Sequence, residues 1–151
     1  ASSGLHSNGF SLARKVFTEK ELKGAVGREL LRPTRIYART ILSVMKKVRI
    51  KAMAHITGGG FYDNIPRVIP DGLGVRVWKA AWPIPPIFRT IQRRGNISER
   101  EMFRTLNMGV GMVVVVSASD ARRTLSLFRK LGQKAWVIGE LIPGPRVVTI
   151  F

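Results

Sequence analysis

A chain of 151 residues with 45% apolar side chains carries enough nonpolar material for one hydrophobic core, so disorder is not the default reading. Without cysteine, and with two histidines only, it excludes disulfides and thiolate metal sites and argues against a histidine-rich zinc site. Twenty-six Lys and Arg face nine Asp and Glu, a net charge of +17 that favours an anionic partner: nucleic acid, phosphorylated small molecules, an acidic protein or a membrane surface. The plain alternative is a solvated, self-repelling surface.

The strongest apolar run, Met112-Val113-Val114-Val115-Val116, has strand length, so no membrane span is expected. No charged segment followed by an apolar one marks a secretory signal. The sequence opens on Ala1-Ser2-Ser3-Gly4 without a methionine, as a fragment of a longer chain would, and a soluble cytoplasmic protein is the expectation.

In chain order, residues 7–17 are expected as a helix capped by Ser7 or Asn8, with Leu12 and Val16 on one face. Residues 18–29 are polar, contain Gly24 and Gly27, and read as a connection. After Pro33, Thr34 is expected to cap a longer helix to about residue 47. Its Tyr37, Ile41, Val44, Met45 and Val48 fall at helical spacing, and Arg32, Arg35 and Arg39 share another side. Residues 50–56 alternate as a strand does and run into Thr57-Gly58-Gly59-Gly60.

Residues 74–78 predict a second strand after the Asp71-Gly72 turn. Three prolines lead into a helix over 87–94 closed by Gly95, and Ser98-Glu99-Arg100-Glu101 reads as a capping box opening the next. Residues 110–116 predict a buried strand. Ser119 is expected to cap a helix that carries Ala121, Leu125 and Phe128 on one face and ends at Gly132. Residues 135–142 and 146–151 are expected as strands around Pro143-Gly144-Pro145. The sum is one α+β domain over 1–151, a mixed sheet of four or five strands packed with helices.

The stretch from Ala54 through His55, Thr57, the three glycines, Asn64 and Arg67 carries the most chemistry. A strand feeding a glycine-rich loop and a helix start arrays backbone N–H groups in a way suited to phosphate. Thr57 adds a hydroxyl, His55 is placed to handle a proton, and Arg67 can pair with an anion. A plain turn accounts for the glycines about as often, and a lone histidine at a strand end is more often structural. Neither a Walker loop nor a dinucleotide fingerprint is present.

That stretch resembles the signature of phosphoribosylformylglycinamidine cyclo-ligases (aminoimidazole ribonucleotide synthetases). Similar in the same order are Ser2-Ser3-Gly4-Leu5-His6-Ser7-Asn8-Gly9-Phe10-Ser11-Leu12, Leu31-Arg32-Pro33-Thr34-Arg35-Ile36-Tyr37, Phe103-Arg104-Thr105-Leu106-Asn107-Met108-Gly109-Val110-Gly111-Met112 and Ala135-Trp136-Val137-Ile138-Gly139. The resemblance implies a C-terminal, substrate-side domain whose ATP-binding N-terminal half is absent. It also implies ATP-driven ring closure of formylglycinamidine ribonucleotide, with ATP and Mg held mainly by the missing half, and homodimers of the full enzyme.

On this resemblance His55 is the catalytic candidate. Thr57, Gly58, Gly59 and Gly60 would cradle phosphate, Ser7 and Asn8 would orient the phosphoribosyl substrate, and Asn107 would support the wall. Asn64 and Arg67 are weaker candidates, and no metal ligand is assigned. Two features depart from the family: a short connection over 18–29, and seven Lys/Arg without an acid over 32–54. The isolated domain is therefore expected to be inactive. The alternative is a basic stand-alone or engineered domain that binds anions or nucleic acid through its charge, with non-specific nucleic-acid binding at low salt expected in either case.

Overall fold

The computed structural model describes residues 1–151. Its helices are α1 (Phe10–Val16), α2 (Glu19–Leu22), α3 (Ala25–Leu30), α4 (Ala38–Met45), α5 (Gly60–Asn64), α6 (Pro86–Gly95), α7 (Glu99–Thr105) and α8 (Ala121–Lys130). Its strands are β1 (Ala52–His55), β2 (Leu73–Val77), β3 (Met112–Val115), β4 (Gly139–Pro143) and β5 (Val148–Ile150). The architecture is α+β, and the five strands fall into two small sheets. β1 pairs antiparallel with β3, while β2 lies between antiparallel β4 and parallel β5.

The pleat of β1–β3 separates two packing layers. Ala54 stands opposite Val113 on one face, toward the larger core; Met112 and Val114 turn to the other face, where they meet Ile41, Val44, Val48 and Phe128 of the α4–α8 layer. His55, opposite Met112, sits on that second face at the end of its strand. The larger core centres on three aromatics. Phe61 stacks on Trp82 at 5.8 Å between ring centroids, and Phe103 meets both edge-on. The Trp82 indole N–H donates to Met108 O at 2.9 Å, so its one polar atom is satisfied inside the core. Phe61 is the second residue of α5, which places this cluster directly beneath the glycine loop.

Local chemistry explains where the helices begin. Pro86 opens α6, whose Phe88 and Ile91 are buried while Arg89, Arg93 and Arg94 stay outside. Ser98 Oγ accepts from the Glu101 N–H at the start of α7, but the Glu101 carboxylate takes the Thr105 hydroxyl instead of returning to the cap, so the expected reciprocal box is half made. A full capping box occurs where a plain connection was expected. Thr18 accepts from Glu21 N and Glu21 Oε2 accepts from Thr18 N at 3.0 Å, which starts α2 and makes residues 18–30 two short helices. Glu21 also holds Arg94 at 2.6 Å, and Arg94 lies over the Phe17 ring, tying this segment to α6.

Other boundaries move for identifiable reasons. Ser7 and Asn8 do not cap α1, because both side chains are engaged elsewhere; Gly9 stands at the cap with φ 84°. Thr34 does not cap α4, since its hydroxyl meets Ser7 and the helix starts at Ala38. Residues 31–36 are extended, so Arg32, Arg35 and Arg39 form no shared helical ridge. Met45 is exposed beside the buried Ile41, Val44 and Val48. Asn96, left-handed at φ 47°, ends α6 where Gly95 was expected to. β3 is partly exposed throughout, because only two strands form its sheet. A short 3-10 turn after Ser117 leads into α8, so Ser119 is no cap, and on α8 Thr124 and Phe128 are buried while Leu125 is not. β4 and β5 flank β2 and do not pair with each other.

Replacing Thr18 by alanine removes both halves of the capping box at once. The Thr18→Ala variant should lose about 1 kcal/mol in urea unfolding with an unchanged slope, and an unchanged midpoint would show that residues 18–30 are held by Arg94 and packing alone.

Candidate functional site

The glycine loop is set by its neighbours on both sides. A Cβ on Gly60 would lie 2.0 Å from the backbone oxygen of Phe103, so only glycine lets α5 dock against α7 here. Asn64 faces back into the loop, its amide donating to the carbonyls of Gly60 at 2.8 Å, Gly58 at 3.1 Å and Thr57 at 3.4 Å. The Thr57 hydroxyl reaches Asn64 Oδ1 at 3.5 Å. Asn64 is thereby a brace for the loop. Gly58 is exposed, and a Cβ there would meet nothing within 4 Å. Gly59 is different, since its missing Cβ would point at the Asp63 side chain, 2.6 Å away.

The N-terminal segment is clamped onto the end of α7. Asn107 is wholly buried; its amide donates to Gly4 O at 2.9 Å and Leu5 O at 3.0 Å, and its oxygen accepts from Gly109 N at 2.9 Å. Asn8 donates to Thr105 O at 3.0 Å, and the Ser7 and Thr34 hydroxyls share a hydrogen bond at 3.1 Å. Asn107 thus supports the wall, as expected, and Ser7 remains exposed at its edge. Arg67 is exposed on the 3-10 turn Pro66–Val68.

This clamp delivers a residue not singled out from the sequence. His6, 4% exposed with φ 65°, packs its ring 6.1 Å from Tyr37 and 6.3 Å from His55, while Tyr37 lies 5.9 Å from His55. The Ser3 N–H donates to His6 Nε2 at 3.0 Å, so the neutral ring carries its proton on Nδ1, which is buried without a partner. Burial first, then the charges of His55, Arg35 and the terminal amine, hold the His6 pKa down at about 4. Burial likewise pushes the Tyr37 hydroxyl up to about 12, and that hydroxyl donates to Ala1 O at 3.1 Å. The rings meet over Gly111, where a Cβ would lie 2.0 Å from Tyr37 Oη and 2.5 Å from His6 Cε1.

The expected residues therefore divide. His55, Thr57 and the three glycines follow one another off the end of β1, with Asn64 bracing them; Ser7, Asn8 and Asn107 belong to the clamp. Arg67 is joined to neither by a hydrogen bond or ion pair. The signal for His6 was its place in the Ser2–Leu12 block beside Ser7, and for Gly111 the Gly109-Val110-Gly111-Met112 string.

The arrangement is that of an α+β domain with a glycine-rich loop between a strand and a short helix, backed by a buried polar clamp. Residues 1–151 match the family described as AIR synthase related protein, C-terminal domain, and the chain belongs to it. It is 51% identical over 158 aligned positions to the phosphoribosylformylglycinamidine cyclo-ligase of Pseudothermotoga lettingae, covering 99% of this chain and 47% of that protein. The like-named protein of Alkaliphilus metalliredigens is 46% identical over 160 positions, covering 99% and 46%. The chain thus spans about half the length of the curated relatives it matches. Among solved structures, E. coli HypE, a hydrogenase maturation protein, superposes with a TM-score of 0.62 over 99% of this chain and 44% of that one; at 20% identity this shows the fold alone.

The unfolded His6 ring takes its proton near pH 6.5, and the folded one only near 4. Between those values the unfolded state binds more protons, so His6 costs stability as pH falls from 6.5 toward 4. His6→Asn keeps a residue that tolerates left-handed backbone and should flatten the loss of urea midpoint across that window. An equally steep loss in the variant would assign it to other groups.

Proposed function

We propose that this chain is the substrate-side domain of an ATP-dependent cyclo-ligase that converts formylglycinamidine ribonucleotide to aminoimidazole ribonucleotide in purine synthesis. What carries the reading is the 51% identity to a phosphoribosylformylglycinamidine cyclo-ligase across 99% of the chain, every candidate residue lying within the matched family domain. In the proposed reaction the amide oxygen takes the terminal phosphoryl group of ATP. The amidine-side nitrogen then attacks that carbon, and phosphate leaves with the oxygen as the ring closes.

His55 is exposed at the end of β1 and handles the proton lost by the attacking nitrogen. Thr57 and the backbone donors of the loop hold phosphate, and the Ser7 and Asn8 segment orients the substrate. The acids of this domain do not fit a magnesium site. Six of the nine stand in ion pairs, and no three metal-capable side chains cluster. Magnesium and most of the ATP contacts therefore fall to the other half of the longer relatives, and the isolated chain turns over nothing by itself.

With ATP and formylglycinamidine ribonucleotide, the chain alone should release no phosphate above background in a coupled assay. In the full-length polypeptide carrying residues 1–151, His55→Ala should lower kcat by about 100-fold or more. Robust turnover by the chain alone would overturn the need for a second half.

Inorganic phosphate, titrated against amide shifts, should perturb residues 57–60 with a dissociation constant on the order of millimolar. Asp63→Asn should tighten this a few-fold by removing a like charge beside Gly59, and Gly58→Val should weaken it without lowering the urea midpoint. Shifts confined to α4 and α8 would mark the loop as a turn only.

A further inference from the structure

Residues 31–36 form an extended strap between α3 and α4. Its inner side is pinned. Ser3 Oγ donates to Pro33 O at 2.6 Å, the Ser7 and Thr34 hydroxyls meet at 3.1 Å, and Arg35 donates to Gln133 Oε1. Its outer side is apolar, with Leu31 72% and Ile36 82% exposed. On α4, Leu42 and Met45 continue this exposed surface one turn apart, beside the buried stripe of Ile41, Val44 and Val48. Scattered exposed apolar residues need no explanation, but a strap fixed on one side and apolar on the other does. The rim is uniformly basic: from Arg32 to Lys51 there are seven Lys and Arg and no acid, and of these only Arg32 stands in an ion pair, with Glu29.

The geometry points to this strap and the adjoining face of α4 as the docking surface for the other half of a longer polypeptide, presenting an apolar centre with an acidic rim. The inference rests on the proposed two-half enzyme. Three observations choose this occupant. The chain spans about half the length of its relatives, so a second body of similar size has to be accommodated. The strap adjoins Ser7 and Tyr37, so a body seated on it also covers the His6–Tyr37–His55 cluster. A second copy of this chain would bring the same basic rim against itself, and a nucleic acid would satisfy the arginines but leave Leu31 and Ile36 in water.

Hydrogen exchange compares the isolated chain with the full-length polypeptide that carries it. Amides of residues 34–45 should gain protection at least about tenfold in the full-length protein, as burial of a local opening predicts. Ile36→Asp should split the single thermal transition of the full-length protein into two, while leaving the melting temperature of the isolated chain unchanged, because Ile36 buries nothing there. Unchanged protection of the strap, or an isolated chain that self-associates and loses this on Ile36→Asp, overturns the proposal. Cyclo-ligase turnover measured on the same samples separates the two readings. Turnover with an unprotected strap sinks the docking surface alone, whereas a protected strap without turnover supports it and sinks the assigned reaction.

Discussion

Three hydrogen bonds from the buried side chain of Asn107 join segments about a hundred residues apart in sequence. The carbonyls of Gly4 and Leu5 and the Gly109 N–H all terminate on this one amide, away from water. A buried backbone group left unpaired costs about 1–3 kcal/mol, so no hydrophobic residue of similar size can take this place cheaply. The same end of α7 meets Gly60 through Phe103 O and Asn8 through Thr105 O. One helix terminus therefore sets both the height of the glycine loop and the position of the His6 segment. The two halves of the candidate site are registered against a common support, although they make few contacts with each other.

The aromatic cluster stiffens that support from below. Phe61 and Phe103 belong to α5 and α7, the elements that the Gly60 contact brings together, and Trp82 packs against both. Burying each such ring contributes about 1.5–3 kcal/mol, and the T-shaped contacts add direction to the packing. Charge does the opposite. The ion pairs are exposed and contribute little individually, and many cations have no acid near them. A domain with +17 is held together by its core and its buried amides, against its own field.

What could be read from the sequence follows the range of the interaction responsible. Pro86 and Ser98 act on the residues next to them, and α6 and α7 begin where those residues indicate. Thr18 and Glu21 carried an equally local signal, masked by the glycines at 24 and 27. Thr34 misled because its hydroxyl has a partner 27 residues away in Ser7, which local propensity does not include. The site shows the same division. His55 and the loop follow one another along the chain and were legible as a unit. His6 gains its character from Tyr37, His55 and Gly111, and from a left-handed backbone that nothing adjacent demands. Asn64 was legible as a polar residue near the loop, but its role as a brace needed the turn to be drawn.

The chemistry proposed for this fold asks for more than the domain provides. Proton transfer and phosphoryl transfer are accelerated by fixed dipoles in a water-excluded site, where each electrostatic interaction is stronger than in bulk. Here Gly58, Ser7 and His55 are all exposed, so the groups assigned to the reaction stand in water. The buried members behave differently: His6 is held neutral and Tyr37 protonated by desolvation before any partner arrives. The domain thus prepares an uncharged inner layer and leaves the outer layer open. Closing that layer requires a surface from outside it, and the rigid, outward-facing strap next to Ser7 is where the fold makes such closure cheapest, because the strap is already ordered and little conformational entropy remains to be lost there.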